Sequence, residues 1–588
     1  MIQGAKYLWQ LPAHDNAAVC ALAARFSLSI PVAQVLIQRG INTLEGAELF
    51  LFGAPEQVVA DASLLKDAEK AIVRIIQAIE KQEKILIAGD YDVDGVTSSA
   101  LMMICLAPLG ANVNFFLPNR LRDGYGLSVK TVQKAAKSNY SVIITVDNGI
   151  TAFEPAQEAK KLGIDLIITD HHRPHEHLPE AYAVVDPHQK DCPYPYKKFA
   201  GVGISFKLMA LLYKRLGKEL PEKVYELLLL GTVADVVPLT GENRYWVRYG
   251  LRTINTFESY SLHVLKQNGK VTRPAITSLD IGFSIAPQIN ALGRLEDARE
   301  AVKFLVGSDY SETERIGKVL LRLNEARKAI EQSVLADIKA LIAAGDIDVV
   351  QDYVLIAAHS NWPTGVIGLV ASRLVGMYGR PAILLHKTGD GLVKGSCRSI
   401  PEFNMFEALQ ECHDILITFG GHPMAAGLSL KESDLPELKK RLCAHAARVL
   451  TPADLQHKLR IDAQLTLPDM TKKIMADLAH LEPFGCENAQ PVFWVKGVSL
   501  LEDPVLLKGA HLKCMVFADG VIKPVIFFNR PELYDLLCAH GREAFDIAVY
   551  VTENHWSDRV SIELQGIDIA LPCSPACPEP IEGSREIE

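Results

Sequence analysis

Apolar positions recur near every 3.6 residues over 17–26, 32–39 and 67–81, so residues 1–80 are predicted to form an N-terminal helical segment. The pattern then changes. Residues 84–88 form a short apolar run of buried-strand type that ends at Gly89-Asp90, and 96–106 is helical again. Strands are predicted over 112–117, 141–146, 164–169 and 181–185. Helical patterns fill 128–138 and 151–162 between them, and Thr151 and Glu154 stand at capping-box spacing. Strands and helices alternating at these lengths predict an α/β fold with a parallel sheet covered on both faces. Helices over 203–216 and 222–234 follow.

Residues 311–344 read as one long charged helix without proline, interrupted only by Gly317, connecting two lobes. A second alternating unit begins with a strand at 353–358, a helix at 365–377, a strand at 382–385 and a helix at 407–412. A glycine-rich loop, TFGGHPMAAG, comes next. From about 459 onward the chain turns to short strands with turn signals, at 492–495, 512–516 and 525–528, which predicts a small β-barrel. Residues 573–588 are rich in Pro, Glu and Ser and are expected to be disordered. The expected division is therefore 1–80, 81–305, 306–345, 346–455, 456–572 and 573–588.

Composition narrows the class. With 49% hydrophobic and 22% charged residues, 40 Gly and 31 Pro, the chain is ordinary globular material, not collagen, coiled coil or bulk disorder. No apolar run approaches the ~20 residues of a membrane span. The first residues lack a basic segment followed by an apolar one, so no signal peptide is expected. The 11 cysteines are scattered without a CxxC pair, which fits reduced thiols and a cytoplasmic location. The net charge of −9 argues against coating a polyanion by bulk charge. It leaves room for a local basic channel, or for acids that serve metal ions.

The acids supply that second possibility. Ligands in open α/β sheets bind outside the carboxyl ends of the strands. Here the predicted strand ends carry Asp90, Asp92 and Asp94 in GDYDVDG, Asp147 in VDNG, Asp170-His171-His172, and Asp186 in VDPH; Asp235 ends a predicted helix in GTVADVVP. Any one such Asp is usually a helix cap or turn former. DxDxDG also resembles the start of a calcium loop, but Leu101 stands where the twelfth-position Glu would be. Clustered carboxylates repel one another and call for cations, and carboxylates with imidazole suit Mg²⁺ or Mn²⁺.

GDYDVDG, VDNG, TDHH and GTVADVVP, followed in order by NRLRDGYG (119–126), NALGR (290–294), GSCRS (395–399) and GGHPMAAG (420–427), resemble the motifs of the DHH phosphoesterases. Within that family the full series, over about residues 35–565, is similar to the bacterial single-strand-specific exonucleases. The resemblance implies a two-lobed DHH core, a parallel-sheet lobe and a smaller α/β lobe joined by a long helix, followed by an OB-fold. It implies removal of mononucleotides from single-stranded DNA in the 5′-to-3′ direction, in DNA repair and recombination.

Residue by residue, the resemblance makes Asp92 and Asp94 metal ligands, Asp147 the ligand that bridges two ions, and His171 and Asp235 further ligands. Asp90 and His172 occupy adjacent motif positions, to bind metal, orient water or support the ligands. Many relatives have His where this chain has Ala88, so either Asp90 fills that place or one ion is held more weakly. Two divalent ions ~3.5–4 Å apart suit phosphodiester hydrolysis.

For the strand, Ser396, Arg398 and Ser399 in GSCRS match phosphate-binding groups, and Gly420, Gly421 and His422 offer close backbone approach. Arg120, Tyr125 and Arg294 are further substrate candidates, Tyr125 by stacking on bases. Arg315, Lys318 and Arg322 share one face of the long helix, which is a solvated face by default and a strand path otherwise. In PFGCENAQPVF (483–493) Glu487 replaces a frequent glycine, and Phe484, Phe493 and Trp494 are stacking or core residues. The expected partners are single-stranded DNA, a helicase and a single-strand-binding protein; the family suggests a monomer. Two rival readings remain: a DHH phosphodiesterase of short oligoribonucleotides or cyclic dinucleotides, and an inactive DNA-binding scaffold.

Overall fold

The computed structural model describes residues 1–12, 16–119, 124–307, 309–556 and 559–572. The tail at 573–588 and Arg120 lie outside the described residues. The chain forms two compact units: Phe52–Leu455 with Pro483–Ala489, and Met1–Leu51 with Gln456–Glu482 and Gln490–Glu588.

The first of these contains a five-stranded parallel sheet of β1 (Lys84–Ala88), β2 (Asn112–Phe116), β3 (Tyr140–Val146), β4 (Asp165–Thr169) and β5 (Ala183–Val185), in the spatial order β2-β1-β3-β4-β5. Ile85 through Ala88 and Val142 through Val146 are buried, so these central strands are apolar on both faces. The chain moves outward from β1 to β2 and then returns past β1 to β3. That reversal opens a crevice between the carboxyl ends of β1 and β3. Helix α1 (Val93–Leu106) follows β1 and buries Val96, Ala100, Leu101, Met102 and Cys105. Helices α2 (Gly201–Arg215) and α3 (Lys223–Ala234) share its core. Helix α4 (Ala286–Leu295) continues a π-helical turn at Ile281–Ile285.

Helix α5 (Tyr310–Ala344), 35 residues long, leads into a second sheet. Its strands are β6 (Leu355–His359), β7 (Ala382–Lys387), β8 (Leu392–Arg398), β9 (Leu416–His422) and β10 (Ala425–Lys431), in the order β9-β10-β8-β7-β6. Only β6 and β7 run parallel. Helix α6 (Thr364–Tyr378) connects those two and packs on β7 and β8. The glycine-rich stretch read as a loop is instead the hairpin β9–β10, because Gly420 pairs with Gly427 and Gly421 with Ala426. Thr151 does not cap the helix that follows β3. That helix runs Phe153–Lys161 with Ala152 at its cap, and the tight turn at 147–150 uses up the residues before it.

The other unit contains a seven-stranded sheet. Strands Phe493–Leu500, His511–Ala518, Val521–Phe527, Arg559–Ala570 and Phe545–Trp556 pair in a closed ring, with one parallel pairing, Val521–Phe527 on Arg559–Ala570. This is a five-stranded Greek-key barrel of OB type. The expected helical segment 1–80 is divided. Its start forms two short strands, Ile2–Gln3 and Leu8–Gln10, in one sheet with Lys458–Arg460. Trp9 is buried there, its indole N–H donating to Asp568 at 2.9 Å. Helix Ala68–Glu80 instead packs Ala71, Ile72, Ile75 and Ala78 into the parallel-sheet core. Apolar periodicity marks a helix but not which core it serves. Among the described residues no single helix is long and apolar enough to cross a membrane.

Candidate active site

The acids converge at the carboxyl edge of the parallel sheet. Asp90 is buried just after β1. Asp92 caps α1, accepting the Gly95 N–H at 3.1 Å. Asp94 is buried in the first turn of α1, and its carboxylate accepts the Gly201 and Val202 N–H groups at 2.5 and 2.7 Å. The unpaired amides that open α2 therefore hold an acid of α1. A side chain at Gly201 would collide with the site, since a Cβ there would lie 2.6 Å from Cβ of Asp147. Asp147 follows β3 in the left-handed region (φ 61°). Beside it, the buried Asn148 amide donates to the carbonyls of Ala88 and Val146 at 3.0 and 2.9 Å, tying β1 to β3. Asp235 is the C-terminal cap of α3.

His171 sits among these groups. Its Nδ1 bonds the Phe199 carbonyl at 2.8 Å, which makes Nδ1 the donor and leaves the lone pair on Nε2. Nε2 is buried without a hydrogen-bond partner, 3.2 Å from Asp147, 3.7 Å from Asp235 and 3.8 Å from Asp94. His172 bonds Asp170 through Nδ1 at 2.7 Å. Asp170 also accepts the N–H groups of Ile150, His171 and His172 at 2.9, 2.7 and 3.1 Å, so it braces the site.

Burial, reinforced by Asp92, pushes Asp94 up to about 7. Burial and then the neighbouring acids also raise Asp147 and Asp235 well above the usual carboxylate range. Burial, aided by His172, draws His171 down to about 4. Burial opposes the charged form of His172, but the hydrogen bond and charge of Asp170 outweigh it and raise His172 to about 9. Burial likewise works against the Asp170 carboxylate, yet His172 holds it below its ordinary value.

Acids crowded around a neutral imidazole suit divalent cations. Ligand atoms of Asp94, His171 and Asp235 lie within 4.8 Å of one another, as do those of Asp90, Asp92 and Asp147; a further group joins Asp147, His171 and His172. Oxygen donors with one imidazole fit Mn²⁺ or Mg²⁺, and His171 Nε2 is the orphaned atom that a cation would satisfy. Asp90, Asp92, Asp94, Asp147, His171, His172 and Asp235 are thus brought together. Asp186 is buried after β5 and accepts the His188 N–H at 2.7 Å.

The strand-binding candidates are less concentrated. Arg398, Ala425 and His422 stand side by side across β8, β10 and β9, and Ser396, Gly427 and Gly420 do the same two residues along. Gly368 of α6 lies close beneath Ser396 and Arg398. Arg294 ends α4 and donates to the Gly365 carbonyl in the first turn of α6 at 3.1 Å. Tyr125 keeps an exposed ring edge-on to His172, while its hydroxyl donates to the Asp147 carbonyl at 3.1 Å. Gly421 lies on the strand with φ 141°.

Ser399 does not join this surface. It is buried, and its hydroxyl donates to the Phe403 carbonyl at 2.6 Å. Arg315, Lys318 and Arg322 each lie within 4.0 Å of an acid, on Glu300, Glu314 and Glu296, as a solvated face does. Phe484 and Phe493 are buried, and the indole N–H of Trp494 donates to Asp546. Residue-type reasoning missed Phe199, Gly201, Val202 and Asn148, most of which act through their backbone. The GVG at 201–203 was the available signal.

Family models match the DHH family N-terminal domain over residues 84–232, the DHHA1 domain over 351–447 and the RecJ OB domain over 461–568. The chain is 37% identical over 570 residues to the single-stranded-DNA-specific exonuclease RecJ of Bacillus subtilis (strain 168), covering 96% of this chain and 71% of that protein. It is 35% identical over 487 residues to the protein of the same name in Escherichia coli (strain K12), covering 79% and 84%. Among solved structures, RecJ of Thermus thermophilus in complex with Mn²⁺ superposes with TM-score 0.82 at 28% identity, covering 97% of this chain and 80% of that one. The Mg²⁺ complex of the same protein superposes with TM-score 0.76 at 26% identity, covering 97% and 79%.

Proposed function

The chain belongs to the RecJ family of DHH phosphoesterases, and from that premise we propose how its residues degrade single-stranded DNA. It is a hydrolase, a single-stranded-DNA exonuclease, that uses Mn²⁺ or Mg²⁺. Asp94, His171 and Asp235 would hold one ion, and Asp90, Asp92 and Asp147 the other. When bound, the pair polarises the phosphodiester and supplies a hydroxide equivalent at neutral pH. The observation that carries this reading is His171 Nε2, buried, unpartnered and faced by three carboxylates.

The protein's own groups do the rest. The Phe199 carbonyl fixes the His171 tautomer. Asp170 holds the proton of His172 on Nδ1, which leaves Nε2 to meet the phosphate or its leaving oxygen. Arg398, Ser396, His422 and Arg294 bind the terminal phosphate of the strand, with the first turn of α6 adding backbone N–H groups. Tyr125 stacks on a base. A phosphate anchor linked to the acid loop through α4, where Gly293 packs on Tyr91 and Arg294 bonds Gly365, favours removal of mononucleotides from the 5′ end. Work as a monomer in the cytoplasm, with a helicase and a single-strand-binding protein delivering the strand, completes the proposal. The relatives are named single-stranded-DNA-specific exonucleases, which favours neither an oligoribonucleotide or cyclic-dinucleotide substrate nor an inactive scaffold.

Single strands labelled at either end, incubated with Mn²⁺, test the polarity. Label leaves the 5′-labelled strand at once as mononucleotide, whereas the 3′-labelled strand shortens to a ladder. The reverse pattern overturns it.

A further inference from the structure

The loop Pro483–Ala489 belongs to the unit that carries the acid cluster, although the chain on both sides of it belongs to the unit that carries the barrel. It is a closed turn. Gly485 and Asn488 exchange backbone hydrogen bonds at 2.9 and 3.1 Å, and the buried Asn488 amide donates to the Pro483 carbonyl at 2.7 Å. Glu487 takes the left-handed conformation (φ 54°).

Its contacts through Gly485, Cys486 and Glu487 fall on the two backbone ribbons that support the cluster. Leu239, four residues after Asp235, donates its N–H to the Cys486 carbonyl at 2.9 Å. Gly485 presses on the Leu239 side chain so closely that a Cβ there would sit 2.6 Å from Cδ1. Glu487 pairs at 2.7 Å with Lys198, the residue before Phe199, whose carbonyl orients His171. Ser278 donates to the Phe484 carbonyl at 2.7 Å in a buried contact. Asn243 closes the frame between the ribbons, donating to the carbonyls of Lys198 and Pro238.

We infer that Pro483–Ala489 is a positioning latch for the metal centre, fixing the Asp235 loop through Leu239 and the His171 support through Lys198. Gly485, Glu487 and Ser278 are accordingly positioning residues that touch neither ion nor DNA. The inference rests on the metal-centre reading above.

Calorimetric titration of the full chain with Mn²⁺, without DNA, tests it. Partners of metal ligands typically change metal affinity 10–100-fold, and a latch one step further out should change it about 3–10-fold. Gly485→Val is expected to weaken Mn²⁺ binding by that amount and to lower kcat at subsaturating Mn²⁺, with KM for a long single strand unchanged. Ser278→Ala, which removes a single hydrogen bond and leaves the packing in place, is expected to act in the same direction and less strongly. It decides the matter if Gly485→Val fails to fold. Folded variants with parental Mn²⁺ affinity would overturn the latch, and a parent chain that takes up no Mn²⁺ would overturn both readings.

Discussion

The two sheets of the larger unit handle charge in opposite ways. At the parallel sheet, acids are buried or half-buried and close together, and several groups have specific partners: Asp94 the α2 amides, Asp92 the Gly95 N–H, His171 the Phe199 carbonyl. At the mixed sheet, Arg398 and His422 lie at the ends of paired strands and Gly420 adds no side chain at all. The first arrangement stores electrostatic repulsion that cations relieve. The second is a partly exposed surface, with Arg398 half-buried and Gly420 and His422 exposed, which the proposal assigns to the strand. Chemistry should therefore fail abruptly when the first is altered, whereas binding should fail gradually when the second is altered.

The largest effect is expected from Asp147→Asn. Asn tolerates the left-handed backbone there and keeps the shape while removing one charge. Nuclease turnover should fall about 10³-fold or more, since ion-mediated stabilisation is worth several kcal/mol. The same variant should melt at a higher temperature than the parent in EDTA, because a buried repulsion is gone. A lower melting temperature would contradict the stored-repulsion half of the comparison.

Next is pH. Asp94, Asp147 and Asp235 have folded-state pKa values above their unfolded ones, Asp94 at about 7. Without metal the folded state holds extra protons, so this cluster's contribution to stability declines as pH rises from about 4 through about 7. Metal needs the deprotonated forms. The Mn²⁺-induced rise in melting temperature should therefore grow between about pH 5.5 and about pH 8. A rise independent of pH would count against these groups as ligands.

Arg398→Ala is expected to weaken binding of a single strand about 10-fold and to reduce the salt slope by about one, with the melting temperature nearly unchanged. Equal loss at every salt concentration would argue against a phosphate contact. Ser399→Ala should leave strand affinity untouched and cost about 1 kcal/mol of stability, the value of its bond to Phe403. Lost affinity with unchanged stability would return Ser399 to the binding surface.

The difference between the sheets also explains what could be read from residues alone. Acids at successive strand ends mark the parallel-sheet site, because strand periodicity and the sheet's switch point dictate where ends meet. The long helix was legible because the charged stretch 311–344 contains no proline, and the helix runs Tyr310–Ala344. Of the supports, only the GVG at 201–203 left a trace in the sequence. Phe199, Gly201 and Val202 act through carbonyl and amide groups that every residue possesses, and only the fold aims them. Ser399 shows the converse, a suitable side chain in a suitable motif that the fold turns inward. The hairpin at Gly420–Ala425 was hidden because glycines weaken the alternation by which a strand is recognised.

The central claim is a centre for two cations built from Asp90, Asp92, Asp94, Asp147, His171 and Asp235. Calorimetric stoichiometry of Mn²⁺ on the parent and on Asp147→Asn tests it most directly. The account predicts two ions per parent chain and loss of at least one in the variant. A parent chain that binds no more than one ion, or a variant that binds as the parent does, would contradict it.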